Sequence, residues 1–165
     1  EKMIFAAAEF NGPMYVRLGR SAVPTIFEED YDFKIGKGVV VKEGNDVTII
    51  ACGIMVNEAL IAADMLKEEN IDARVINMST IKPIDTELII KAAKETKAIV
   101  TAEEHSIIGG LGSAVSEVVS ENHPVIVKKV GMNDCFGESG TPNELLEKYG
   151  LTAKNIVEKV KESLK

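Results

Sequence analysis

The sequence predicts a three-layer α/β/α domain on a mainly parallel sheet, and two observations carry that reading. Short apolar runs without alternating polarity recur along the chain, as strands do when both faces of their sheet are covered. Between them lie segments whose apolar residues repeat at helical spacing, supplying the crossovers that parallel strands need. From about Val47 onward this alternation gives a sheet of four or five strands.

The first residues, Lys2 to Ala8, read as the last turns of a helix already under way, so the chain reads as a piece of something longer. Pro13 to Leu18, "PMYVRL", is a β-branched and aromatic run ended by Gly19, and is expected to be a strand. From Arg20 to Asn45 no period of 2 or 3.6 persists, and Pro24, Gly36, Gly38 and Gly44 punctuate the stretch. It reads as a connector over a domain surface, with an edge strand at Val39 to Val41.

After Asn45 the units become regular. "VTIIAC" is followed by a glycine and by a helix with Val56, Leu60, Ala63 and Leu66 on one face. "ARVINM" precedes "DTELIIKAAKET", "KAIVTAE" precedes "GLGSAVSEVVSEN", "VIVKKVG" precedes "TPNELLEKY", and "TAKNIVEKVKESL" closes the chain as a helix. Asp85 is an N-cap candidate, Thr141-Pro142 places a cap residue before proline at the first helical position, Gly150 marks a helix stop and Thr152 can cap the next helix.

Bulk properties narrow the functions. A length of 165 residues suits one well-buried core, and 45% hydrophobic with 27% charged residues is the composition of an ordinary soluble globular protein. With 19 basic and 26 acidic side chains the net charge is −7, which disfavours non-specific binding to nucleic acid or anionic lipid. The apolar runs are strand-sized, well below the roughly 20 residues that span a bilayer, and no secretory signal opens the chain. A cytoplasmic protein with Cys52 and Cys135 as reduced thiols is expected.

Three constellations could carry chemistry. In "EEHSIIGGLGSAV", Glu103 to Val115, a strand end runs through two acids and a histidine into a glycine-rich turn that opens a helix, where backbone N–H groups can hold an anion. However, Gly109, Gly110 and Gly112 do not satisfy GxGxxG and no P-loop lysine follows, so glycines for close helix packing are the favoured reading. His105 could be a general base, but neighbours on a strand point in opposite directions, so Glu104 is poorly placed to orient it and Glu103 only somewhat better. A structural or interface histidine is favoured; His123, before Pro124, is expected to be exposed. No His/Cys spacing supports a metal site. Finally, Arg17 and Arg20 bracket the end of the expected first strand, and arginine suits phosphate through its planar fork of donors. On spacing alone they serve equally well as surface salt-bridge partners.

The segments "GPMYVRLGR", "DVTIIACGIMVNEALIAADMLKEENIDARVINMSTIKPID", "VTAEEHSIIGGLGSAVSEVV" and "FGESGTPNELLEKYGL", in that order, resemble the end of the pyrimidine-binding domain and the whole C-terminal domain of transketolases. The resemblance spans nearly the full chain and is strongest to split transketolases, whose halves are separate polypeptides. It extends to deoxyxylulose-phosphate synthases and to the beta subunits of 2-oxoacid dehydrogenases. It implies a mixed five-stranded C-terminal domain over residues 46–165, a linker over 21–45, and the tail of a pyrimidine-binding domain over 1–20. It further implies ketol transfer between phosphosugars with thiamine diphosphate and magnesium, in a homodimer completed by the N-terminal part or subunit. Arg20 falls where transketolases hold the sugar phosphate, and Arg17 where the synthases do; both are carried over as substrate-phosphate residues. The metal-holding GDG motif of the family is missing from this sequence, and no residue matches the glutamate that activates the cofactor. The resemblance therefore implies no catalytic residue, cofactor ligand or metal ligand in this chain, and no activity for it alone. "EEH" and "RLGR" lean away from the synthases, which usually carry "EEN" and "RYPRG".

Overall fold

The computed structural model describes residues 1–19, 22–27 and 31–165. A short helix, α1 (Lys2–Glu9), opens the chain, and a connector leads to an edge strand, β1 (Val39–Lys42). The regular units follow: β2 (Val47–Ala51), α2 (Met55–Glu68), β3 (Ala73–Asn77), α3 (Thr86–Glu95), β4 (Ala98–Ser106), α4 (Leu111–Asn122) and β5 (Ile126–Met132). Two helices, α5 (Pro142–Lys148) and α6 (Ala153–Ser163), close the chain. The strands lie in the order β1-β3-β2-β4-β5, with β1 antiparallel to β3 and every other pair parallel, so the sheet is mixed and five-stranded as the family resemblance implies.

Why β2, β3 and the first half of β4 read as unbroken apolar runs is now plain: each is buried on both faces. Ile49, Val75 and Val100 pack with Val56, Leu66, Ile156 and Val160 under α2 and α6. Their neighbours Ile50, Ile76 and Ile99 point the other way, against Ile89, Ala92, Val115 and Val119 of α3 and α4. Three layers result, and burial of these aliphatic side chains is the main stabilising term.

The expected strand at Pro13 to Leu18 does not form. Residues 13–19 have neither helix nor ladder, and Tyr15 and Leu18 remain 88% and 68% exposed. A run of strand-forming residues becomes a strand only where another strand receives its N–H and C=O groups, and among the described residues none lies beside it. In α1, likewise, no residue is buried.

The helix starts show how the chain holds its turns. Asp85 caps α3 as expected, accepting from the Leu88 N–H at 3.2 Å, and it also accepts from the Gly38 N–H at 3.1 Å, tying the connector to the domain. Gly38 permits that approach, since a Cβ there would stand 2.8 Å from a Leu88 methyl. Glu144 reaches back to the Thr141 N–H at 3.1 Å, completing the capping box of α5. Gly150 has φ +69°, the left-handed geometry of a helix stop. Thr152 takes the N-cap position of α6 as expected, but its hydroxyl donates to the Asn155 side chain at 2.8 Å, and the Ala153 N–H donates to Glu58 of α2 at 2.8 Å. No helix of the described residues is long and apolar enough to cross a membrane.

Candidate functional site at the carboxyl ends of beta2 and beta4

In an open parallel sheet, neighbouring strands whose following connections leave in opposite directions open a crevice at their carboxyl ends. Here that point lies between β2, whose chain continues through α2 to β3 on one side, and β4, whose chain continues through α4 to β5 on the other. Cys52 stands at the end of β2, and Glu103, Glu104 and His105 end β4. Arg17, from the connector-like segment before Gly19, reaches the same place.

Glu103 is 2% exposed, and its two oxygens accept from the Leu111 N–H at 2.7 Å and the Gly112 N–H at 2.8 Å. The anion held at the start of α4 is thus a side chain of the chain itself. These paired donors, with the helix dipole, offset the cost of burying a carboxylate. A Cβ on Gly110 would lie 2.0 Å from Glu103 Oε2, and one on Gly112 would lie 2.7 Å from Thr101 Oγ1. Close packing therefore explains those glycines, and the phosphate-cradle reading is displaced by Glu103.

The neighbouring side chains serve other ends. Glu104 faces outward, where its main-chain carbonyl accepts from Arg17 Nη1 at 3.2 Å and its carboxylate lies 3.9 Å from Arg17 Nη2. The Arg17 side chain is 56% exposed, so the guanidinium is tethered but open to solvent. Arg20 lies outside the described residues. His105 is exposed, with Nδ1 3.3 Å from the Ser106 carbonyl oxygen, and the carboxylates of Glu103 and Glu104 are directed to α4 and Arg17 rather than to its ring. His123 is half-buried at the end of α4, not exposed as expected, and its N–H donates to the Val119 carbonyl in the last turn.

Burial pushes the Cys52 thiol up to about 12, Glu103 and Glu104 push in the same direction, and Arg17 opposes them. The thiol stays protonated at neutral pH and is no nucleophile. Among the described residues no group of three or more His, Cys, Asp and Glu side chains could hold a metal ion.

Sequence reasoning missed the role of Glu103. A usable signal was there: Gly110, at the N-cap of α4, has no side chain with which to accept, so the first N–H groups of that helix need an acceptor from elsewhere.

Residues 36–156 match the family model for the transketolase C-terminal domain. The chain belongs to that family. It is 51% identical over 147 residues to a subunit of a 6-deoxy-6-sulfo-D-fructose transketolase from Clostridium sp. (strain MSTE9), covering 89% of this chain and 46% of the relative. It is 44% identical over 165 residues to one chain of the apulose-4-phosphate transketolase from Phocaeicola vulgatus, covering 99% of this chain and 53% of the relative. Among solved structures, a split-gene transketolase described as an inactive beta4 tetramer superposes with a TM-score of 0.96 at 58% identity, over 99% of this chain and 54% of that one. This transketolase C-terminal chain thus spans about half the length of these relatives.

Among the described residues, two helix starts that could hold a diphosphate are already occupied. The helix start best placed for a diphosphate, that of α4, is filled by Glu103, and the start of α3 is filled by Asp85. The described residues fit neither a thiamine diphosphate nor its metal.

Proposed function

We propose that this chain is the C-terminal part of a thiamine-diphosphate-dependent transketolase, transferring a two-carbon ketol unit between ketose and aldose phosphates. The observation that carries this reading is the match of residues 36–156 to the transketolase C-terminal family, with transketolase subunits among the relatives, and the open guanidinium of Arg17 at the carboxyl end of β4 adds a candidate contact for a substrate anion. Relatives named for a sulfo-sugar and a sugar phosphate support a sugar substrate with a terminal anion. Arg17 and Arg20 grip that anion, and the remote grip helps position the reacting carbon. The cofactor supplies the carbanion chemistry and is held, with magnesium, by other parts of the complete enzyme.

In this reading residues 1–20 are the tail of a pyrimidine-binding domain, 21–45 a linker and 46–165 the C-terminal domain. The exposed run at 13–18 fits that division, because its strand partners would belong to the rest of the pyrimidine-binding domain. The complete enzyme is a cytoplasmic homodimer that joins this part to an N-terminal part or subunit. The chain alone contributes assembly and substrate contacts, binds no thiamine diphosphate and is inactive.

An assay of the complete enzyme with thiamine diphosphate and magnesium tests this, with a pentose-phosphate pair set against pyruvate plus glyceraldehyde phosphate. A seven-carbon ketose phosphate formed without carbon dioxide is the expected product. Carbon dioxide from pyruvate would move the protein to the deoxyxylulose-phosphate synthases, which hold their substrate phosphate at the position of Arg17. Saturable binding of thiamine diphosphate by the isolated chain would overturn the division of labour.

A further inference from the structure

Arg17 stands on a stretch of backbone with no ladder and no helix, and more than half its side chain is in solvent. Such an arginine has many rotamers, and a phosphate that needs it must offset the entropy of ordering it. Among the described residues, both contacts that restrict its head come from one residue. The Glu104 carbonyl accepts from Nη1 at 3.2 Å, and the Glu104 carboxylate faces Nη2 at 3.9 Å.

The strand end that carries Glu104 is anchored on either side of it, across an irregularity in the ladder to β5 between Ala102 and Ser106. Glu103, next to it, is clamped by the Leu111 and Gly112 N–H groups, and two residues on Ser106 pairs with Met132 of β5. An anchored strand end therefore faces a loose arginine.

We infer that Glu104 is a positioning residue for Arg17, setting the guanidinium in place before the anionic end of the substrate arrives. This role rests on the reading of Arg17 as a substrate-anion residue. At 3.9 Å the carboxylate is beyond hydrogen-bonding distance and acts by charge. An exposed pair of this kind biases a rotamer several-fold and no more, so it orders the side chain without withholding it from a phosphate. Of five guanidinium N–H donors the carbonyl takes one, which leaves the fork geometry for a bidentate oxyanion.

The test uses the complete enzyme with Arg17→Ala, Glu104→Ala and the double variant. It compares KM and kcat for a phosphorylated ketose and for its unphosphorylated counterpart. The dissociation constant of a phosphorylated sugar alcohol, which lacks the reacting carbonyl, is measured alongside. Arg17→Ala is expected to raise KM for the phosphorylated ketose, and the sugar-alcohol constant, by about tenfold, the loss of one charge-assisted contact. Glu104→Ala is expected to raise both by about threefold, with kcat and the unphosphorylated substrate unchanged, and to add nothing once Arg17 is gone. Glu104→Gln, which removes the charge and keeps the volume, is expected to behave like Glu104→Ala. An effect of Glu104→Ala that persists at full size in the Arg17→Ala background would overturn the inference, as would tighter binding or equal effects on both substrates. If Arg17→Ala itself does not discriminate phosphorylated from unphosphorylated substrate, the reading of Arg17 fails, and the role of Glu104 with it.

Discussion

Residues 47–51 lie between β3 and β4 with every side chain buried, whereas residues 13–18, rich in similar residue types, run over the surface with Tyr15 and Leu18 in solvent. Val47 to Ala51 pair with residues 73–77 on one side, and Thr48 to Ala51 pair with residues 99–102 on the other. Pro13 to Leu18 have no ladder partner among the described residues. What separates the two stretches is the presence of neighbours to take up backbone hydrogen bonds, so β-propensity describes a fit to a surface rather than a property of the residues alone.

That contrast can be broken by substitution. The largest effect is expected at Ile50, fully buried against α3 and α4: Ile50→Ala should cost about 2–5 kcal/mol in chemical denaturation, the range for truncating a core aliphatic residue. A smaller, pH-dependent effect is expected at Asp46, just before β2. Its carboxyl is held below the ordinary aspartate range, first by the Asp72 N–H at 2.9 Å and then by the Lys97 ammonium at 3.2 Å. A lowered folded value means a contribution present above the ordinary range and lost as pH falls through the depressed value. Asp46→Asn should therefore be less stable than the parent at pH 7, by no more than about 1 kcal/mol after screening. The gap should close on acidification below the carboxylate range; a gap that holds constant there would mean that the charge is irrelevant. Least of all is expected from Phe5→Ala in α1, where the ring is 64% exposed: a change within about 0.5 kcal/mol. A loss of about 2 kcal/mol or more at Phe5, the size of a core truncation, would show that α1 is packed in solution and would dissolve the contrast.

The same distinction between local and distant partners governs what could be read from the sequence. Asp85 and the Thr141/Glu144 box cap their helices from within the same turn, and the residue types alone announce them. Apolar runs of five residues announce strands buried on both faces, because nothing but a covered sheet tolerates them. Glu103 and Glu58 cap helices that begin eight and ninety-five residues later, a pairing created only when β4 is laid beside α4 and α2 beside α6. Gly110 signals that α4 needs an acceptor from elsewhere, but nothing in the local pattern says that either glutamate supplies one. The strand expected at 13–18 failed for a related reason: the residues have the right shape, but a ladder needs a second participant. Arg17 was legible as a residue suited to phosphate, whereas its seat on Glu104 joins positions 87 residues apart and could not be read from spacing.

Glu103 also gives its corner of the fold a built-in occupant. In folds that bind dinucleotides, the turn between a strand and its helix gains order from a diffusing metabolite. Here the equivalent occupant is covalently part of the polypeptide and present at unit stoichiometry from the moment of synthesis. The corner between β4 and α4 therefore satisfies its helix start without a bound metabolite, and the strand end beside Arg17 is anchored by the chain itself.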